Sequence, residues 1–255
     1  MLRPILRGFL FLVCGYLLVP GGMLVAQEVP RFQVELEVGP VWQGRNNVQI
    51  PNEAPATRFS LKDLAGQGPW PTGRLYLTWN LNQRHSLRVL LAPLTIEETG
   101  TVDEPVSFAG AEFDPGSPVQ GTYQFNSWRV GYRYRFLERQ DLDLRVGFTA
   151  KIRDAKVALA QGETASKDTN VGFVPLLHFS GDWQMAEGAH LLLDFDGLAG
   201  GPGRAFDVGL KVGFDLGDHW RIGGGYRTLE GGADVETAYN FAWLHYGVVS
   251  LTFFQ

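Results

Sequence analysis

The chain has almost no cysteine: of its 255 residues only Cys14 is one. Because Cys14 lies inside an N-terminal apolar stretch, the rest of the chain can form neither a disulfide nor a thiolate metal site. That stretch, Gly8 to Val19, breaks at Pro20-Gly21-Gly22, short of the roughly 20 apolar residues that a membrane-crossing helix needs. With Arg3 and Arg7 ahead of it and Leu24-Val25-Ala26 behind it, it has the layout of a secretory signal peptide. The expectation is cleavage after Ala26, which leaves residues 27–255 as one exported domain. Val13, directly before Cys14, is not the small residue that a lipoprotein site requires.

Other absences narrow the function classes. No Pro/Ser-rich linker or charge block divides residues 27–255, and the net charge of -5 gives no electrostatic reason to expect nucleic acid as a partner. The five histidines are scattered without a His-Glu-x-x-His spacing, so no metal ligand set is expected. Glycines cluster at Gly197, Gly200, Gly201 and Gly203 and again at Gly223, Gly224 and Gly225, but no Gly-Lys-Ser/Thr follows either cluster. They read as turn and curvature devices, not as a phosphate loop, and no cofactor is expected.

What the chain does have is alternation. From Arg31 onward apolar and other residues alternate with period two, the signature of strands. Ten such segments fall at about 31–42, 73–80, 86–98, 121–136, 141–154, 170–183, 189–198, 204–215, 219–229 and 240–254. Short polar turns alternate with longer connections at 43–72, 99–120, 155–169, 199–203 and 230–239. In the longest of these, Ser60-Leu61-Lys62-Asp63-Leu64 reads as a capped helical turn that could fold over a barrel mouth.

The two parities differ in kind. One carries apolar residues such as Leu75, Leu77, Val89, Val130, Val146, Phe148, Leu210 and Leu251, with no charge among them. Aromatics gather at its two ends: Trp79, Trp183, Phe214 and Trp220 beside the short turns, and Trp42, Trp128, Tyr226 and Trp243 beside the longer connections. Two aromatic girdles around an aliphatic belt suit a surface that crosses a bilayer. His245, on this apolar parity, is the misfit, explained by headgroup depth or by a bulge.

The expected fold is therefore an all-β, antiparallel up-and-down transmembrane barrel of about ten strands, with eight or twelve as alternatives. Together with the leader and the ending Gly247-Val248-Val249-Ser250-Leu251-Thr252-Phe253-Phe254-Gln255, this pattern resembles the small bacterial outer-membrane β-barrel superfamily of the OmpA membrane domain and OmpW. The resemblance implies an outer-membrane location, lipid around the barrel and recognition by the barrel-assembly machinery. Members usually end in an aromatic residue, whereas here Gln255 follows Phe254.

Candidate chemistry sits on the inward parity. Arg88, Arg129, Arg133, Arg135, Arg145 and Lys151 come from the third to fifth segments, and they should face Asp194, Asp196, Asp207, Lys211 and Asp215 of the seventh and eighth, with Glu35 and Glu37 on the first. An ion-pair network filling the lumen is the plainer reading, because barrels of about eight strands are packed with side chains. The other is a narrow passage or a binding site for small polar solutes. His178, Ser180 and Asp182 form a second candidate group, of the kind a hydrolase acting on lipid or peptide could use. Same-face residues on one strand lie nearly 7 Å apart, so a nucleophile–base contact between them is not assured.

Overall fold

A computed structural model describes residues 29–201 and 203–255, so the expected leader at 1–26 lies outside the described residues. The elements in chain order are β1 (Phe32–Gln49), β2 (Phe59–Ser60), α1 (Leu61–Ala65), β3 (Trp70–Asn80), β4 (His85–Ala92), β5 (Thr95–Gly100), β6 (Val106–Phe108) and β7 (Ala111–Phe113). They continue as β8 (Val119–Glu138), β9 (Leu142–Gln161), β10 (Thr164–Ala186), β11 (Ala189–Gly200), β12 (Gly203–Leu216), β13 (Trp220–Val235) and β14 (Ala238–Phe254).

Ten of these strands form a ring in the order β1, β3, β4, β8, β9, β10, β11, β12, β13, β14, and β14 closes it on β1 from Gln33↔Phe254 to Gln49↔Tyr239. Every neighbouring pair is antiparallel. Closure leaves no free sheet edge at the middle of the ring. β5 extends β4 along β8 after an interruption at Pro93-Leu94, and β2 adds to the end of β1. The expectation of a ten-strand antiparallel barrel is met.

The outward face of the half nearest the short turns is aliphatic and aromatic. Leu36, Leu77, Val130, Val146, Leu210 and Leu251 are exposed there, and Phe148 is 67% exposed. The charged parity points inward: Glu37, Arg74, Arg129, Asp207, Lys211 and Arg227 are all buried. Towards the other end the relation inverts. Val119, Tyr123, Val157, Leu159, Leu229, Leu244 and Val248 are inward and buried, while Lys167 and Thr169 of β10 face out.

That inversion explains the main departure from the sequence reading. The longer connections expected at 155–169 and 230–239 are continuous strand: β9 pairs with β10 up to Gln161↔Thr164, and β13 with β14 up to Val235↔Ala238. Beyond the apolar belt an outward side chain meets water, so the parity that marks the strand swaps faces and period two fades from the sequence.

The inward apolar residues of the loop end pack against a cap. Segments 50–69 and 93–118 supply Leu61 and Leu64 of α1 together with Leu94, Ile96, Phe108 and Phe113, all buried in one cluster with Val41, Val48, Tyr123 and Leu244. α1 starts as expected, with Ser60 Oγ accepting from the Asp63 amide at 3.2 Å. The β6–β7 hairpin crosses the lumen to β10, where Ser166 Oγ donates to the Ala109 carbonyl at 2.7 Å.

His245 keeps the β13–β14 register and points outward between Trp243 and Tyr226, bonded to the Tyr226 hydroxyl. The bulge lies opposite it, in β1 between Gln43 and Arg45. A Cβ on Gly44 would stand 2.6 Å from His245 Nε2, so a larger residue there would push the imidazole aside.

Candidate functional site in the lumen

At mid-height, inward residues of seven strands meet in one plate of charge. Asp207 of β12 is its hub, accepting from Arg74 of β3 at 2.8 Å, Arg129 of β8 at 2.6 Å and Arg227 of β13 at 2.6 Å. Arg129 turns its other amino group to Asp196 of β11 at 2.8 Å. Glu37 of β1 takes Lys211 Nζ at 2.7 Å, Arg227 at 3.2 Å and the Tyr76 hydroxyl at 3.0 Å. Lys211 also holds Glu35, and Arg88 bonds Asp194, which Arg133 reaches at 3.3 Å. A buried ion in an apolar frame costs several kcal/mol, and each charge here recovers that cost only through several partners at once.

The plate separates two spaces. On the turn side lies a cavity of about 130 Å³ bordered by Glu35, Arg88, Arg133, Arg145, Ser180 and Asp194. On the loop side lies one of about 770 Å³ whose floor includes Arg129, Asp196 and Asp207.

Of the residues singled out from sequence, Glu35, Glu37, Arg88, Arg129, Arg133, Asp194, Asp196, Asp207 and Lys211 come together in or beside the plate. Arg135 and Arg145 do not: they sit at the turn end, both on Asp143, at 2.8 and 2.9 Å. Lys151 is inward and buried but, among the described residues, joins no ion pair; its Nζ lies 4.6 Å from the centre of the Phe125 ring. Arg74 and Arg227 had the right parity and proved central. Tyr76 shares that parity and could have been read from it.

The second candidate group divides. His178 places Nε2 3.1 Å from Ser180 Oγ, a closer approach than strand spacing alone assures, because the two side chains lean together. Its Nδ1 lies 2.9 Å from Asp196, directly across the β10–β11 register, not near Asp182. Asp182 belongs to another cluster, 2.6 Å from His190 Nδ1 and 2.9 Å from Arg221, with Asp215 completing it 3.0 Å from His190 Nε2 and 2.6 Å from Arg221.

The sequence matches no protein-family model and no curated protein. The fold is similar to the outer membrane protease OmpT of Escherichia coli, with a TM-score of 0.56 at 10% identity over 91% of this chain and 99% of that one. Weaker likenesses are to the attachment invasion locus protein Ail of Yersinia pestis (TM-score 0.39, 8% identity, 86% of this chain and 99% of that one) and to the outer membrane protein AlkL (0.39, 9%, 94% and 98%). At such identities the likeness is one of architecture. The chain is a closed antiparallel ten-strand β-barrel that shares the fold of the outer-membrane protease OmpT.

Proposed function

We propose that this chain is a bacterial outer-membrane barrel, exported through a cleaved leader, with its turn end in the periplasm and its capped loop end outside. Its role is non-enzymatic: a sealed envelope barrel that can bind small polar solutes in its charged interior without passing them through. The observation that carries this reading is the grip of three arginines from three strands on Asp207. A hydrated ion would have to break several charge-assisted hydrogen bonds at once to cross that level. Lipid surrounds the aliphatic belt, and the barrel-assembly machinery inserts the chain. In planar lipid bilayers the purified protein should give no unitary current steps; reproducible steps would replace the sealed barrel with a pore.

One observation favours a second reading, a barrel hydrolase: Ser180, His178 and Asp196 stand in the order of nucleophile, base and orienting carboxylate. Against it, Ser180 lies within a stretch paired to β9 and β11 on both sides, so no pair of neighbouring amides is free to stabilise an oxyanion. A fluorophosphonate probe should leave Ser180 unmodified. A covalent adduct at Ser180 that is lost in Ser180→Ala and His178→Ala would establish the hydrolase.

A further inference from the structure

The larger, loop-side cavity is built unlike the plate beneath it. Its wall is mainly apolar, with Tyr123, Phe125, Val157, Leu176 and Leu229 around about 770 Å³, a size ordinary for a pocket that encloses a small organic ligand. At its floor stands Lys151, 3% exposed. Among the described residues Lys151 makes no ion pair, whereas the other buried lysine, Lys211, holds two glutamates. The carboxylates nearest the floor are already engaged: Asp207 by three arginines, and Asp196 by Arg129, His178 and Thr149. One step up the same face, Arg153 donates to Asn170 through one amino group and, among the described residues, leaves its Nε buried without an acceptor. Burying a cation without an anion is costly, so the floor is prepared for a negative group that the protein itself does not supply.

The barrel wall is open beside this cavity. β10 pairs with β11 only from Leu177↔Gly197 to Ala186↔Ala189, so the backbone of Thr164–Leu176 has a ladder on one side alone, with β9. Pro175, at the start of this gap, has no N–H to offer a partner strand. Flanking the gap on the outer face, Val171 and Phe173 are 71% and 64% exposed. A seam with apolar lips connects the outer surface to an apolar chamber that ends at Lys151, an amine with no acidic partner among the described residues.

We infer that the loop-side cavity binds a single-chain amphiphile with an anionic head, a fatty-acid carboxylate, which enters tail or head through the β10–β11 seam and sets its carboxylate on Lys151, with Arg153 as a second donor. The apolar wall takes the acyl chain. This site goes beyond the sealed-barrel reading and survives its failure, since it needs the cavity and the seam but not a closed plate.

The test uses the full mature chain in phosphatidylcholine nanodiscs, with 11-(dansylamino)undecanoic acid as probe and oleate as competitor. The expected result is saturable binding of one probe per chain, displaced by oleate and poorly by oleyl alcohol. Lys151→Met should weaken binding by about tenfold or more while Lys151→Arg retains it, as loss of a charged hydrogen bond requires. Ala155→Trp, which fills the chamber and leaves Lys151 in place, should abolish binding. Heat-modifiable migration on gels confirms that each variant is folded. Absent saturable binding, equal displacement by the alcohol, or wild-type affinity in folded Lys151→Met or Ala155→Trp would each overturn the site.

Discussion

Asp207 and Arg129 stand four strands apart in the ring, on β12 and β8, yet their side chains meet at 2.6 Å across the lumen. Arg74 reaches the same carboxylate from β3, four strands away in the other direction. One aspartate thus ties together parts of the wall that share no ladder. Asp207→Asn should therefore lower stability by about 3–5 kcal/mol, the usual cost of stranding buried partners. Urea unfolding in lipid vesicles measures it, and a loss below about 1 kcal/mol would mean that the arginines find water or other acceptors.

The outer face of the turn half makes a separate demand. Val130 is 56% exposed and its ladder partners are Val89 and Ala150, all within the aliphatic belt. Placing a charge there should cost about 2–4 kcal/mol if lipid covers it. Val130→Arg in the same vesicle assay reports this, and a variant as stable as the parent would remove lipid from that surface.

The cap is a distinct packing unit. Phe108 is fully buried and meets the Phe59 ring edge-on at 5.7 Å. Phe108→Ala should loosen the cap by about 3–5 kcal/mol, as deletion of a buried ring does. Limited proteolysis should then cut within 50–69 or 93–118 while the heat-resistant barrel core remains whole; a protected cap would show that its stability lies elsewhere.

Close approach of strands limits side-chain size at one glycine in particular. A Cβ on Gly225 of β13 would run into the Leu210 carbonyl oxygen and come within 2.7 Å of Lys211 Cα. Gly225→Val should reduce the fraction that assembles into folded barrel, read as heat-modifiable gel migration. Unimpaired assembly would show that the β12–β13 pair can relax.

The architecture was legible because one face of each strand meets a uniform solvent: the alternation from Phe32 to Val38 marks a strand with carboxylates on one side and apolar residues on the other. Legibility failed where that solvent changes. Above the belt Ile152 is outward while Val157 and Leu159 are inward, and the reversal erases the period that marks the strand. Of the cap, the capped turn at Ser60–Leu64 was legible, but the rest was not for a related reason, since Phe108 and Phe113 form a core only after two separate connections meet.

In the lumen, parity told which residues point in but not who meets whom. That His178 faces Asp196 follows from the β10–β11 register, which turn chemistry and closure set and no local pattern records. Lys151 read as one more member of a cationic sector opposite aspartates. That it stands beside Arg129 in the β8–β9 register, over the Phe125 ring and, among the described residues, in no ion pair, is a three-dimensional fact.

The charged plate is a wall between two spaces, and cysteine accessibility tests it most directly, because Cys14 is the only natural thiol. In a Cys14→Ser background, Leu198→Cys reports the loop-side cavity and Ser180→Cys the turn-side one. A small membrane-impermeant thiosulfonate added to intact cells should modify Leu198→Cys rapidly and leave Ser180→Cys untouched until the periplasm is opened. Equal modification of both in intact cells would contradict the sealed barrel.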